Sequence, residues 1–299
     1  MIIVGAGLAG LLAANMLARH RPVVLERQPQ LPNNHSAVLR FKTRAVSDAT
    51  GVPFRAVNMI KTTLNYGNPV SEALAYSFKV LGVARSDRSV TSGTVVETRY
   101  IAPPDLVPRL ANMAGDIFKF NLPADFNGQG PYISTVPMPA LMQALDYPNR
   151  GQMAFRSRPA VNIHAQVSDC DAYVSVLVPN PEYPFARISL MGDNLIIECP
   201  GDKVPDTEQV LALAWAFMGL PADSIISEPT VHRSHYAKLQ PIDERARKTF
   251  LAWATDNHNV YSLGRFATWR PGLLLDDLVQ DIRLIEGWIA NTYDMRRNR

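Results

Sequence analysis

The chain has 299 residues, 47% hydrophobic and 19% charged, which suits one large folded unit or two modest ones and excludes a disordered or collagen-like protein. Thirty Lys and Arg against 27 Asp and Glu leave a net charge of +3, too small to mark a nucleic-acid binder by charge alone. Two cysteines, Cys170 and Cys199, cannot build a disulfide scaffold and fit no metal-ligand spacing, and no apolar run approaches the ~18 residues of a membrane span. The apolar start is broken by glycines and has no basic stretch before it, so it does not read as a signal peptide. A soluble, cytoplasmic α/β protein with no metal and no membrane contact is expected.

In chain order, Met1-Ile2-Ile3-Val4 reads as a short buried strand, followed at once by Gly5-Ala6-Gly7-Leu8-Ala9-Gly10. Residues 11–19 read as a helix, and Pro22-Val23-Val24-Leu25 as a second strand ending at Glu26 and Arg27. This is GxGxxG in its required context of strand, tight turn, helix, strand and acid. Gly5 permits the turn, Gly7 lets the backbone approach a pyrophosphate, and Gly10 lets helix and strand pack closely. The phosphates would sit over the helix N-terminus, where unpaired N–H groups and the dipole favour anions. Glu26 stands near the spacing at which a carboxylate grips ribose hydroxyls. These features suit FAD and NAD alike.

His35 and Arg40 follow in the loop after the second strand, which in a doubly wound sheet opens toward the cofactor crevice. They read equally as a phosphate or substrate contact and as a solvated loop. A helix over 104–113 and a short strand over 116–121 come next. The strand at 130–137 ends in Thr135-Val136-Pro137, and 138–145 starts another helix. From 160 to 198 the texture changes to alternation, with Gly192-Asp193 as a hairpin signal, so an antiparallel sheet is expected there. Arg187 in that sheet suits either an anionic substrate group or cross-strand pairing. A helix over 207–219 is capped by Asp206 or Thr207.

His235 to Pro241 reads as a strand leading back to the first unit, with Tyr236 and Lys238 on one face by period two. Lys238 reads either as a group near a reactive cofactor edge or as an exposed strand lysine. At the far end, Val260 to Trp269 is a strand running into a turn at Gly264-Arg265, Pro271-Gly272 breaks the chain, and 274–289 reads as a long amphipathic helix with Asp276 and Asp277 in its first turn. A second strand–turn–helix unit is what a flavin needs beyond a plain NAD domain: its helix N-terminus can face the isoalloxazine carbonyl, which gains negative charge on reduction. Trp269 and Tyr261 are candidate aromatic walls, with burial in the core the safer reading for Tyr261.

Together GAGLAG…LER and Y-S-L-G-R-F-A-T-W…L-D-D-L resemble the flavoprotein family of amine oxidases, protoporphyrinogen oxidase and UDP-galactopyranose mutase, the closing segment being most similar to the mutases. The resemblance implies FAD as cofactor. It places Gly264 and Arg265 at the flavin or its phosphates, the backbone around 275–278 against the ring, and Thr135 in a turn beside the cofactor. The implied cofactor contacts are thus Gly5, Gly7, Ala9, Gly10, Glu26, Arg27, Arg40, Thr135, Gly264, Arg265, Trp269, Asp277 and Leu278, with Lys238, Tyr236 and His35 as catalytic candidates. The chain departs from the family where a Gly-Gly pair usually follows the acid; here 31–40 reads LPNNHSAVLR.

The expected architecture is α/β: a Rossmann-like FAD-binding domain (1–60, 95–146 and 245–299) with a smaller, mostly antiparallel β-sheet substrate domain (61–94 and 147–244). The activity implied is oxidation or cleavage of a C–N bond in an amine or amino-acid-like substrate, with the flavin as redox centre. The stretch from His35 to Phe41 and the compact size also look like small flavoproteins encoded by bacteriophages, some of which act on amino-acid-decorated thymidines in DNA. On that variant the substrate is a modified nucleobase, and Arg85, Arg88, Arg99 and Arg109 are compatible with a DNA backbone nearby. A mutase-like reaction on a sugar nucleotide and a non-catalytic flavin-binding protein are the alternatives.

Overall fold

The computed structural model describes residues 1–31, 39–64, 67–85, 93–128, 130–221 and 223–297, the side chains of 235 and 292–297 excepted. The chain opens with β1 (Ile2–Val4), α1 (Leu8–Met16) and β2 (Val23–Leu25), the unit expected from the glycine motif. It continues through β3 (Arg40–Phe41), α2 (Ala45–Thr50), β4 (Arg55–Thr63), α3 (Pro69–Leu81), β5 (Val95–Ile101), α4 (Leu106–Ala114) and β6 (Phe118–Lys119). Then come β7 (Tyr132–Ser134), α5 (Met138–Ala144), β8 (Ser157–Gln166), β9 (Ala172–Leu177), β10 (Arg187–Gly192), β11 (Asn194–Pro200) and α6 (Thr207–Met218). The last elements are β12 (Thr230–Leu239), α7 (Glu244–His258), β13 (Val260–Ser262) and α8 (Asp277–Arg297).

Two sheets organise these elements. The first is parallel, in the order β13-β7-β1-β2-β6, so the strands from the two ends of the chain flank β7. Its strands are short and apolar because both faces are covered. Over one face lies α1, whose Leu8, Leu11, Leu12, Ala13 and Ala14 are buried. Leu278, Ile282, Ile285 and Ile289 of α8 join the same core, following helical spacing. Gly10 is needed for that closeness: a Cβ there would lie 1.9 Å from the Gly5 carbonyl oxygen.

The second sheet has eight strands in the order β12-β8-β11-β10-β9-β4-β5-β3, antiparallel except where β4 runs parallel to β9. The expected α/β class, a parallel sheet with a second, mostly antiparallel one, is what the chain adopts. β5, and most of β4, come from stretches that the sequence reading gives to the nucleotide-binding part, yet both are strands of this second sheet, paired Val57↔Arg99 and Met59↔Glu97. The two faces of this sheet differ in chemistry. One carries Val161, Ile163, Ile188, Leu190, Leu195 and Ile197 and packs under α6, capped by Asp206 as expected. By register, the opposite face carries Arg99, Glu97, Lys61, Ser175, Ser189, Arg187, Glu198 and Asn162. Cys199 is buried in the α6-side core and Cys170 packs at its margin, as small apolar residues do. No described helix is long and apolar enough to cross a membrane.

Candidate functional site

The glycine loop is built as a cradle. Gly5 has φ +96°, a conformation that disfavours a side chain, and a Cβ there would meet the Thr135 hydroxyl at 2.2 Å. Thr135 in turn donates its hydroxyl to the Val4 carbonyl at 2.8 Å, locking the end of β7 to the end of β1. Gly7 caps α1 with ordinary extended angles, and a Cβ on it would point into open space. Glu26 is buried and accepts the Ala6 N–H at 2.8 Å and the Gln28 N–H at 2.9 Å. Its carboxylate thus shapes the loop in addition to any ligand contact. Arg27 points to solvent.

A cavity of about 750 Å³ opens from this loop, within the size range of small-molecule and cofactor sites. Gly7, Leu8 and Ala9 form one side. Residues 263–266 form the next, including Gly264 and Arg265, and Thr135 lies between them. Gly264 has φ +99°, and a Cβ on it would come within 3.3 Å of Ala9, so the two loops abut directly. Leu273, Leu274, Leu275, Asp276 and Leu278 close the cavity at the start of α8. The first and last segments of the chain therefore meet in one crevice, across more than 250 residues of sequence.

The cavity's remaining wall is cationic. Arg40, Lys42, Lys61 and Arg99 line it, with Ser234 from β12. Arg99 donates to Glu97, and Lys61 lies 3.3 Å from the same carboxylate. Arg40 donates to the thioether of Met59 at 2.9 Å, with Met191 at 3.9 Å. Burial, then the neighbouring charges of Arg187 and Arg99, bring the Arg40 guanidinium down to about 10. Asp276 clasps the β3–α2 turn: it accepts the N–H groups of Lys42 and Thr43 at 3.1 and 2.7 Å and the Thr43 hydroxyl at 2.8 Å.

Other expected residues stand elsewhere. Lys238 lies 2.8 Å from Glu198, which Arg187 also engages at 2.7 Å. Burial raises the Glu198 pKa, but the two cations outweigh it and hold the carboxyl well below the usual range. Arg187 is therefore a cross-strand partner, and Lys238 pairs with the same carboxylate; it is not among the residues lining the cavity. Tyr236 is exposed, with its ring edge toward Phe266, because a register shift between Ser234 and Lys238 interrupts the alternation that period two assumes. Trp269 is buried, donates its indole N–H to the Gln240 carbonyl at 2.9 Å and packs against Phe155, so it supports the core and is not among the residues lining this cavity. Tyr261 is buried as expected.

Asp277 accepts the Leu274 N–H at 2.8 Å and shapes the entry to α8. Arg109 pairs with Asp105 on α4, away from the crevice, while Arg99 lies inside it. His35 and Arg88 lie outside the described residues. Sequence reasoning missed Lys42, Lys61, Asp276's clasp and Ser234; only the alternation of charge along β4 and β5 hinted at Lys61 and Arg99 sharing a face. Among the described residues no group of three or more His, Cys, Asp or Glu side chains is placed to hold a metal.

No family model matches this chain, and no curated protein matches it. Among solved structures, a reduced UDP-galactopyranose mutase superposes with a TM-score of 0.65 at 14% identity, over 97% of this chain and 93% of that one. A geranylgeranyl bacteriochlorophyll reductase-like protein from Thermoplasma acidophilum gives 0.57 at 11%, over 98% and 78%. A flavoprotein/dehydrogenase from Cytophaga hutchinsonii gives 0.51 at 12%, over 96% and 78%. What this chain shares with all three is the fold, a parallel sheet beneath a mostly antiparallel one.

Proposed function

We propose that this chain is an FAD-dependent enzyme that oxidises or cleaves a C–N bond of an amine or amino-acid-like substrate. The observation that carries the cofactor is the meeting of Gly7–Ala9, Gly264–Arg265 and the start of α8 around one cavity. The residues present fit the group. The space above Gly7 is kept open where a Cβ would fill it, and the α1 N–H groups face that space for a pyrophosphate. The apolar side chains of Leu263, Leu273, Leu275 and Leu278 would exclude water from a flat aromatic ring. Bound there, FAD would supply the two-electron acceptor. The likeness to a flavoprotein/dehydrogenase supports the same reading.

The amine substrate itself rests on the resemblance of the two end motifs to the amine-oxidase family. A sharper form, a modified thymidine in DNA, rests on the segment from His35 to Phe41. A second reading, a non-redox reaction on a sugar nucleotide, is favoured by the likeness to a UDP-galactopyranose mutase and by the cationic wall. The test is the absorbance spectrum of the purified protein, followed by anaerobic titration. A bound flavin bleached by an amine without added reductant is expected. Turnover only after dithionite reduction, on a sugar nucleotide, would replace the first reading with the second, and a protein that takes up no flavin would end both.

A further inference from the structure

The polar face of the second sheet is out of charge balance. Arg99 and Lys61 share one carboxylate, Glu97, and Arg187 and Lys238 share another, Glu198. Arg40 stands between these pairs with two thioether sulfurs as its acceptors. Five cations thus face two carboxylates, and sulfur is a weak acceptor for a guanidinium fork built to grip two oxygens. Burial and the like charges of Arg187 and Arg99 lower the Arg40 pKa, and Glu97 and Glu198, each already shared by two cations, offset them only in part. A single oxyanion would relieve the imbalance. The pyrophosphate of the cofactor has its own place at the N-terminus of α1, on the other sheet.

We infer that Arg40, with Arg99 beside it, anchors an oxyanion of the substrate, a carboxylate or a phosphate, on the sheet side of the crevice. This deepens the proposed function by requiring that the molecule carrying the C–N bond also carry a negative charge. It rests on that reading only in assigning this wall to the substrate. A carboxylate and a phosphate monoester both match the guanidinium fork, and each is tested by a matched pair of probes.

The experiment is calorimetric titration of the full chain, with and without FAD. N-benzylglycine is compared with N-methylbenzylamine, and thymidine 5′-monophosphate with thymidine. The member of one pair that carries the oxyanion is expected to bind at least about tenfold more tightly than its partner lacking it, as a charge-assisted bidentate contact implies. Preference in the first pair assigns a carboxylate, preference in the second a phosphate. Arg40→Met should erase the preference while FAD stoichiometry stays unchanged and the thermal midpoint does not fall. Arg55→Met, which removes an exposed cation paired with Asp171, should retain it. No discrimination in either pair overturns the inference, as does discrimination that survives Arg40→Met. Loss of FAD together with the preference overturns it too, because Arg40 would then serve the cofactor. A chain that takes up no FAD but still discriminates through Arg40 refutes the flavin reading and leaves the anion site standing.

Discussion

Gly7 separates ligand effects from folding effects. Its backbone is extended at φ −66° and ψ 175°, which any residue adopts, and no atom lies within 4 Å of where a Cβ would stand. Gly7→Val should therefore fold with a nearly unchanged thermal midpoint yet lose FAD, measured as flavin per protein after desalting. Stoichiometric flavin in the variant would contradict the placement. His164 offers a second residue-scale outcome. It is buried, its ring lies 4.9 Å from that of His232, and burial followed by that neighbour lowers its pKa from 6.5 to about 4. The unfolded chain takes up this proton at a higher pH than the folded one, so stability is lost as pH falls from 6.5 toward 4. Urea midpoints should decline across that window, and His164→Leu should flatten the decline.

At the scale of elements, Asp276 ties the entry to α8 to the other sheet. Asp276 receives three hydrogen bonds from Lys42 and Thr43, joining the β3–α2 turn to the wall of the crevice. Asp276→Ala should cost about 1–2 kcal/mol, as lost charge-assisted hydrogen bonds do, and raise amide exchange at 42–45. Unaltered exchange there would show that the turn is held by other contacts. Elements also explain where period counting succeeded and failed. The alternation from 160 to 198 was legible because one face of β8, β10 and β11 is apolar and packs on α6. On β12 the same counting misplaced Tyr236, since the irregularity between Ser234 and Lys238 shifts the register and leaves no mark in composition.

At the scale of the molecule, the two chain ends form one core. Ile282 of α8 is fully buried in the cluster that contains Leu11, Leu12 and Ile3. Ile282→Ala should cost about 2–5 kcal/mol, read as a lower urea midpoint with unchanged slope. A loss under about 0.5 kcal/mol would mean that α8 does not close this core.

The nucleotide-binding unit was written in the sequence because its demands are local. A turn at Gly5, close packing at Gly10 and an acid at Glu26 must fall at set spacings along one strand–helix–strand unit. The closing motif at Gly264-Arg265 was legible for the same reason. The cationic wall was not. Arg40, Lys61 and Arg99 come from three strands and are neighbours only through the pairing of β3, β4 and β5. Likewise, Lys238 meets Glu198 because β8 sets β11 next but one to β12, a strand order that no spacing encodes. Residue types and turns were thus decided by local sterics, whereas the charge surrounding each side chain was decided by strand order, a property of the folded chain alone.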